Sequence, residues 1–235
     1  MYTLRSIGAF ATFALAVATP AFAADVTVDD FTTGHYRSPQ FKSGWDVHAP
    51  EQPGAMLGNY RDTYLLFCDP NVPGDCAARN PYSTTVSYLI GPTRDKTHSA
   101  FVQNAGYETP PRIEIHYGEG PGGMSKDLSG GSNRRLRFSF ESLSQPLNFN
   151  VLLYTGIARG QDGCNVAEIN HPFVLELPLS EFTMANGGFD ASAITFVDVI
   201  FQSASAIGSV EFGLNKIEVV DEPLGGAIHC GPLGG

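Results

Sequence analysis

Residues 135–140 read Arg-Leu-Arg-Phe-Ser-Phe, and this stretch decides the fold. Leu136, Phe138 and Phe140 alternate strictly with polar side chains, which is the two-residue period of a strand with one buried face. Similar strand-like patterns recur along the chain at residues 26–31, 45–48, 63–67, 85–90, 113–117, 147–153, 173–177, 194–201 and 210–219. Clusters of Gly, Pro, Asn and Asp, such as residues 118–123, separate these segments and indicate turns.

About ten strands without alternating helices predict an all-β domain built as a two-sheet antiparallel sandwich. A closed barrel is the alternative architecture. One helical turn is predicted at residues 179–183, with Ser180 as its cap. The predicted domain spans residues 24–223, and a Gly-rich, irregular tail follows at residues 224–235.

The composition excludes several classes of protein. The 235 residues contain 14 Lys+Arg against 24 Asp+Glu, which gives a formal net charge of −10. Such a chain lacks the broad basic surface that attracts nucleic acids and anionic membranes. Hydrophobic residues make up 43% and charged residues 16%, a balance that is not typical of disordered chains.

Residues 1–23 are predicted to be a secretory signal peptide. Arg5 supplies the positive charge, residues 7–17 form an apolar run, and Ala21 and Ala23 occupy the small-residue positions before a cleavage site. The run is too short to span a bilayer. The sequence therefore predicts a secreted protein, periplasmic or extracellular, with an uncleaved N-terminal anchor as the alternative.

Export predicts that the four cysteines form disulfide bonds, because disulfides persist in oxidising compartments. They are Cys68, Cys76, Cys164 and Cys230, and four cysteines allow three pairings. The turn-rich residues 69–75 favour a loop closed by Cys68–Cys76, which leaves Cys164–Cys230 by elimination. A metal site is the weaker alternative, because there is no C-x-x-C spacing.

The order of five segments resembles the galactose-binding-like jelly-roll superfamily, which includes secreted carbohydrate-binding modules and domains related to complex I intermediate-associated protein 30. The segments are residues 28–31 (VDDF), 55–61 (AMLGNYR), 136–140 (LRFSF), 175–182 (LELPLSEF) and 210–217 (VEFGLNKI). The chain is also similar to uncharacterised secreted bacterial proteins that begin with DDFTTG. The resemblance implies a jelly-roll sandwich and a carbohydrate-binding role.

Many modules of this superfamily hold a structural calcium ion near the first and last strands. The resemblance implies Asp29, Asp30 and Asn215 as oxygen ligands for Ca²⁺. Asn215 stands where the superfamily often has Asp, which weakens this interpretation. The alternative places Asp29 and Asp30 at a solvated strand end and a turn cap. No other cofactor is predicted.

Aromatic side chains are candidates for stacking on sugar rings. Trp45 lies in the Gly- and Pro-rich residues 34–60, together with Tyr36 and Tyr60. We predict that Trp45, Tyr36 and Tyr60 contribute to a ligand-binding surface. The alternative for Trp45 is an anchor in the core, because large aromatic side chains are usually well buried.

Residues 112–117 read Arg-Ile-Glu-Ile-His-Tyr, which puts Arg112, Glu114 and His116 on one face of a strand. Arg112 and His116 are candidate ligand-binding residues for an acidic sugar, and His116 is a candidate base. The segment resembles the Gln-Ile-His strand of jelly-roll alginate lyases, although the Tyr-x-Lys-x-Gly segment of those enzymes is missing. The alternative is an exposed ion network that contributes little stability.

Three functional hypotheses follow. The first is a secreted, non-catalytic β-sandwich that binds a glycan, since the G-x-S-x-G and H-E-x-x-H motifs of hydrolases are absent. The second is a polysaccharide lyase or hydrolase that uses Arg112, Glu114 and His116. The third is a structural envelope or matrix protein without a small ligand. None of the three involves nucleic acid or a membrane span. The cluster Arg134, Arg135 and Arg137 is predicted to be a local salt-bridging patch.

Overall fold

The computed structural model describes residues 24–43, 47–48, 52–80, 84–93, 99–105, 111–184, 189–203 and 211–230. The predicted signal peptide and Trp45 lie outside the described residues, so both stay predictions. Within these ranges, no helix combines the length and the apolar character needed to cross a membrane.

The described residues contain sixteen strands and little helix. The strands are β1 (Val26–Asp29), β2 (Tyr36–Arg37), β3 (Val47–His48), β4 (Gln52–Pro53), β5 (Tyr60–Leu66), β6 (Val86–Pro92), β7 (Ser99–Ala105), β8 (Arg112–Tyr117), β9 (Arg135–Leu143), β10 (Leu147–Thr155), β11 (Ala158–Val166), β12 (Phe173–Pro178), β13 (Thr183–Met184), β14 (Phe196–Ser203), β15 (Glu211–Val220) and β16 (Ile228–His229). The helical elements are α1 (Asp75–Arg79) and 3₁₀ turns at Leu57–Asn59, Leu179–Glu181 and Ala191–Ala193. The turn at Leu179–Glu181 confirms the helical turn predicted there, but Ser180 lies inside the turn and Pro178 precedes it without a side-chain hydrogen bond, so the prediction of Ser180 as the cap is wrong.

The strands form two sheets of eight. Sheet A has the order β16-β12-β9-β15-β7-β6-β2, with β1 also paired to β15. Sheet B has the order β13-β11-β10-β14-β8-β5-β3, with β4 also paired to β5. The described pairs are antiparallel except for β12 with β16. The predicted all-β, two-sheet jelly-roll sandwich is confirmed, and the barrel alternative is wrong.

The core lies between the two sheets, because each strand turns its apolar side chains inward. On β9, Phe138 is fully buried and Phe140 nearly so. The rings of Phe138 in sheet A and Phe149 in sheet B meet edge to face with centroids 4.7 Å apart. The opposite faces of the sheets are therefore free to carry polar side chains.

Strands β7 and β11 and helix α1 were not predicted. The sequence of β11 contains Gly160, Asp162 and Gly163, which resemble a turn rather than a strand. A Cβ atom on Gly163 would lie 2.2 Å from the carbonyl oxygen of Phe149 on β10. The glycine is therefore explained by close backbone approach inside a strand pair.

Both predicted disulfides, Cys68–Cys76 and Cys164–Cys230, are confirmed. The second ties the C-terminal segment to β11. Ile228–His229 then pairs in parallel with β12, so part of the tail predicted to be irregular is a strand.

The arginine cluster forms salt bridges, as predicted. Glu176 on β12 is fully buried, and its carboxylate lies 3.1 Å from Arg135 Nη1 and 2.8 Å from Arg137 Nε. Arg134 Nη1 lies 3.3 Å from Asp221 Oδ2. These contacts fasten β9 to its neighbours in sheet A and to the segment after β15.

Candidate binding site

The outer face of sheet B, here called the front face, carries the candidate site. Alternation along β8 sends Arg112, Glu114 and His116 to this face, while the three residues between and after them are buried. The strand register adds these outward positions: Tyr60, Asp62, Tyr64 and Leu66 on β5; Phe196, Asp198, Ile200 and Gln202 on β14; Asn148, Asn150, Leu152 and Tyr154 on β10; Arg159, Gln161, Gly163 and Asn165 on β11. The face thus combines aromatic, acidic and amide side chains.

His116 lies among carboxylates from its own strand and from a neighbouring one. Its Nε2 is 3.2 Å from Glu114 Oε2 and 3.4 Å from Asp198 Oδ1. Its Nδ1 is 3.2 Å from Glu119 Oε2. On β5, Asp62 occupies the position opposite His116 in the register. The side chains of His116 and Glu114 are only 12% and 15% exposed. The network is therefore buried at its centre, whereas Arg112 and Glu119 at its edges are 41% and 39% exposed. It differs only in part from the exposed alternative considered from the sequence.

The carboxylates change the protonation of His116. Burial lowers the pKa of the imidazole, but the contacts with Asp198 and Glu114 oppose burial and raise the pKa to about 10. The hydrogen bond from His116 lowers the pKa of Glu114. Burial raises the pKa of Asp198, against the opposing effect of His116. The imidazole is consequently protonated at neutral pH when the face is unoccupied.

A polar cleft lies beside this cluster. It has a volume of about 490 Å³ and is lined by Arg112, Asn148, Phe149, Asn150, Leu152, Cys164, Asn165, Ile200 and Gln202. Arg112 connects the two regions, because its Nε also lies 2.5 Å from Glu114 Oε1. Asn150 Oδ1 is buried and has no hydrogen-bond donor among the described residues. The cleft therefore offers several amide groups and an acceptor that lacks a partner.

An aromatic row crosses four strands next to the cleft. The His116 ring lies 4.5 Å from that of Tyr64 and 5.0 Å from that of Phe196, measured between centroids. The Phe196 ring in turn lies 5.1 Å from that of Tyr154. Each side chain is partly exposed. A row of this kind provides apolar contact area beside hydrogen-bonding groups.

The structure brings some of the predicted ligand-binding residues together and separates others. Tyr60, Arg112 and His116 share the front face. Tyr36 lies on β2 in sheet A, where its ring is 5.6 Å from that of Tyr88, and it packs against the core. Tyr36 is therefore remote from the front face in the topology, and Trp45 lies outside the described residues.

Several residues of the front face were missed by the sequence analysis. Asp198, Phe196 and Tyr154 were not considered, because they reach His116 only through the pairing of β8 with β14 and of β14 with β10. The alternation within residues 194–201 was visible in the sequence. It carried no information about which strand would lie beside β8.

The residues predicted to bind calcium have other roles in this structure. Asp29 accepts hydrogen bonds from Arg61, from the Tyr117 hydroxyl at 3.0 Å and from the Phe31 backbone at 2.8 Å. Asp30 Oδ1 accepts from the backbone and hydroxyl of Thr32 and so caps a turn. Because Asp29 would have to exchange its partners to bind an ion, these contacts do not favour calcium there.

The third predicted calcium ligand, Asn215, lies on β15. Its Oδ1 is buried without a hydrogen-bond partner among the described residues. The assignment of Ca²⁺ to Asp29, Asp30 and Asn215 stays a prediction.

Among known proteins, the chain is similar to solved structures only. No protein-family model matches the chain, and no curated protein matches it. A family 11 carbohydrate-binding module from Clostridium thermocellum, in complex with a β-1,3-1,4-mixed-linked tetrasaccharide, is 14% identical over 87% of this chain and 97% of its own, with a TM-score of 0.40. A family 30 carbohydrate-binding module of a cellulosomal cellulase from the same organism is 15% identical over 86% of this chain and 100% of its own, with a TM-score of 0.44. The Endo-D glycoside hydrolase domain from Streptococcus pneumoniae R6 is 12% identical over 85% of this chain and 28% of its own, with a TM-score of 0.45.

Proposed function

We propose that this protein is a secreted, non-catalytic β-sandwich that binds a glycan on its front face. One observation carries the proposal. Sheet B carries a polar cleft of about 490 Å³ and an aromatic row on the same outer face, on strands whose opposite side forms the core. Small-ligand sites are typically concave, with apolar walls and a few oriented polar groups.

The cleft has the hydrogen-bonding groups that sugar hydroxyls require. Asn148, Asn165 and Gln202 are exposed and present both donors and acceptors. Asn150 Oδ1 would accept a hydroxyl proton that no described protein group supplies. Arg112 adds guanidinium donors to the lining of the cleft, and its Nε is bound to Glu114 Oε1.

The same geometry favours binding over catalysis by His116. A general base must be unprotonated, whereas, despite burial, the carboxylates of Asp198 and Glu114 raise the pKa of this imidazole and favour its protonated form in the free protein. Export is proposed from the N-terminal apolar run and agrees with the two disulfides, which persist in oxidising compartments.

The test is binding to an array of neutral and acidic polysaccharides, followed by calorimetric titration of the strongest ligand. The variant Asn148→Ala/Gln202→Ala removes two exposed amides of the cleft and should weaken binding about tenfold or more. Phe196→Ala should also weaken it through the aromatic row. Absence of any glycan ligand for the wild-type protein contradicts the proposal.

A matched control comes from sheet A. Gln40 is an exposed amide in a separate surface cleft of about 460 Å³, which is also lined by Arg37 and Ser87. Gln40→Ala should leave glycan binding unchanged. Equal losses in Gln40→Ala and in the double variant would exclude the front face as the binding site.

A further inference from the structure

The cluster around His116 has the geometry of a metal site. Glu114, His116 and Asp198 each offer one ligand atom, and the three atoms lie within 4.8 Å of one another. A tetrahedral ion with bonds of about 2.1 Å separates its ligand atoms by about 3.4 Å. The Nε2 of His116 is 3.2 Å from Glu114 Oε2 and 3.4 Å from Asp198 Oδ1, which matches two edges of that tetrahedron.

Asp198 supplies an independent observation. The residue is only 7% exposed, and its Oδ1, although 3.4 Å from His116 Nε2, makes no hydrogen bond of good geometry with the described residues. This oxygen faces the imidazole across the β8–β14 pair. A buried acceptor without a donor is costly unless an ion or another partner satisfies it.

The second ring nitrogen of His116 also has a suitable neighbour. Glu119 Oε2 lies 3.2 Å from Nδ1 and accepts a hydrogen bond of 3.0 Å from the Tyr64 hydroxyl. Metal-binding histidines commonly direct their second nitrogen to a carboxylate, which fixes the ring and raises its basicity. His116 Nδ1 makes no hydrogen bond with the described residues in the free protein, although Glu119 is within reach. An ion at Nε2 would release the imidazolium proton from that nitrogen to solvent, and Glu119 would then accept a hydrogen bond from Nδ1.

The remaining charges favour a cation as well. Glu114 uses Oε1 to bind Arg112, which leaves Oε2 directed at His116. Asp62 on β5 adds a further carboxylate at the register position beside His116. Because His116 and Glu114 keep some exposure, a bound ion would retain contact with water or with a ligand on the front face.

We propose that Glu114, His116 and Asp198 bind one divalent transition-metal ion, with Glu119 as a positioning residue. A mixed nitrogen and carboxylate ligand set suits Zn²⁺ better than Ca²⁺, which prefers six to eight oxygen ligands. The site is distinct from the predicted calcium ligands, and the inference does not rest on glycan binding.

The experiment is calorimetric titration of the untagged, EDTA-treated protein with ZnCl₂, and in parallel with CaCl₂. Titration with CoCl₂ adds visible absorption bands that report the coordination of the ion. We expect one Zn²⁺ per chain. His116→Ala should weaken binding by at least about 100-fold, and Glu119→Gln by about 10- to 100-fold with unchanged stoichiometry.

Two further variants keep the test decisive. Asp198→Asn preserves the shape of the buried side chain and should also lose Zn²⁺ binding. It provides the test if His116→Ala fails to fold. His171 is an exposed histidine whose Nδ1 lies near the carbonyl of Pro172, and His171→Ala should bind Zn²⁺ like the wild type.

Three results overturn the proposal: no Zn²⁺ binding by the wild-type protein, binding unchanged in the folded His116→Ala and Asp198→Asn variants, or a preference for Ca²⁺ over Zn²⁺. The glycan variant Asn148→Ala/Gln202→Ala should retain Zn²⁺, so failure of one proposal is distinguishable from failure of the other.

Discussion

Two clusters in this protein each combine a basic side chain with carboxylates. They differ in how far their charges are buried and paired. In the first, Arg61 is fully buried, and its guanidinium binds Asp29, Gln52 Oε1 at 3.0 Å and the carbonyl of Gly34 at 2.7 Å. In the second, His116 faces the carboxylates of Glu114, Glu119 and Asp198.

The difference separates a structural cluster from a binding surface. Around Arg61, the guanidinium and the Asp29 carboxylate are paired with each other, and the Tyr117 hydroxyl donates to Asp29. The buried Gln52 Nε2 is the donor left without a partner among the described residues of this cluster.

Around His116, three carboxylates face one imidazole and Arg112, and Asp198 Oδ1 makes no hydrogen bond with the residues that the structure describes. A closed cluster stabilises the fold, whereas an open one with surplus negative charge attracts a cation. Of the four substitutions that follow, Arg61→Ala and His116→Gln test the two clusters, while Gly163→Ala and Asp162→Asn test strand β11 of sheet B.

The largest effect is expected for Arg61→Ala. The substitution leaves Asp29 buried without its counter-charge, which should lower the free energy of unfolding by about 3–5 kcal/mol. Urea denaturation followed by circular dichroism measures the loss. The control is Arg79→Ala, which breaks an exposed i,i+4 pair with Asp75 and should cost less than about 1 kcal/mol. Similar losses in the two variants would show that the Arg61 cluster is not a structural centre.

Gly163→Ala tests the wall of the cleft. Its Cβ would meet the Phe149 carbonyl, so β10 and β11 must separate, at a cost of about 2–3 kcal/mol. The same denaturation experiment applies. Gly225 has no atom near its hypothetical Cβ, so Gly225→Ala should unfold like the wild type. A stable Gly163→Ala protein would contradict the described β10–β11 pairing.

Asp162 is a buried carboxyl outside both clusters. It is fully buried, and its Oδ2 has no hydrogen-bond partner among the described residues. Burial raises its pKa from 3.8 to about 7. The folded protein therefore holds the proton more tightly, and the resulting stabilisation is lost as pH rises from about 4 to about 7. At pH 8, Asp162→Asn should be more stable than the wild type by on the order of 2 kcal/mol. Unfolding free energies measured across this pH range check the prediction.

Asp190 is the control for this prediction, because its pKa is shifted in the opposite direction. Hydrogen bonds from Ser192 lower the pKa of Asp190, so its charge stabilises the fold as pH rises. Asp190→Asn should therefore lose stability above that pKa rather than gain it. A gain in Asp190→Asn equal to that in Asp162→Asn would mean that burial of Asp162 is not the cause.

The smallest effect is expected for His116→Gln. The substitution leaves three carboxylates facing one another, but partial exposure limits the cost to about 1 kcal/mol in EDTA at low salt. High salt should reduce this cost, because ions screen exposed charges better than buried ones. The cost of Arg61→Ala should persist in high salt. Equal salt dependence in the two variants would remove the distinction between a closed and an open cluster.

The sequence predicted the parts of the site that depend on local periodicity. The alternation of residues 112–117 correctly placed Arg112, Glu114 and His116 on one face. Tyr60 and Tyr36 were grouped by nearness along the chain, but Tyr60 lies on β5 in sheet B and Tyr36 on β2 in sheet A. Nearness along the chain does not determine which sheet a strand joins.

The remaining parts depend on strand pairing. Asp198 and Phe196 reach His116 only through the β8–β14 register. Strand β11 was hidden, because Gly160 and Gly163 have turn-like character, and the reason for glycine appears only in the fold: Gly163 closely approaches β10, and Gly160 packs near the side chains of Phe182 and Phe189. Such contacts arise between residues far apart in the chain, and no local pattern encodes them.

The sequence by itself determined the all-β class, the inward positions of the longer strands, both disulfides and the acidic balance of the chain. These features follow from alternation, composition and the spacing of Cys68 and Cys76. Only the tertiary structure decided that Asp29 belongs to a closed cluster and His116 to an open one, because partners of a charged group are chosen by sheet register and burial rather than by neighbours along the chain.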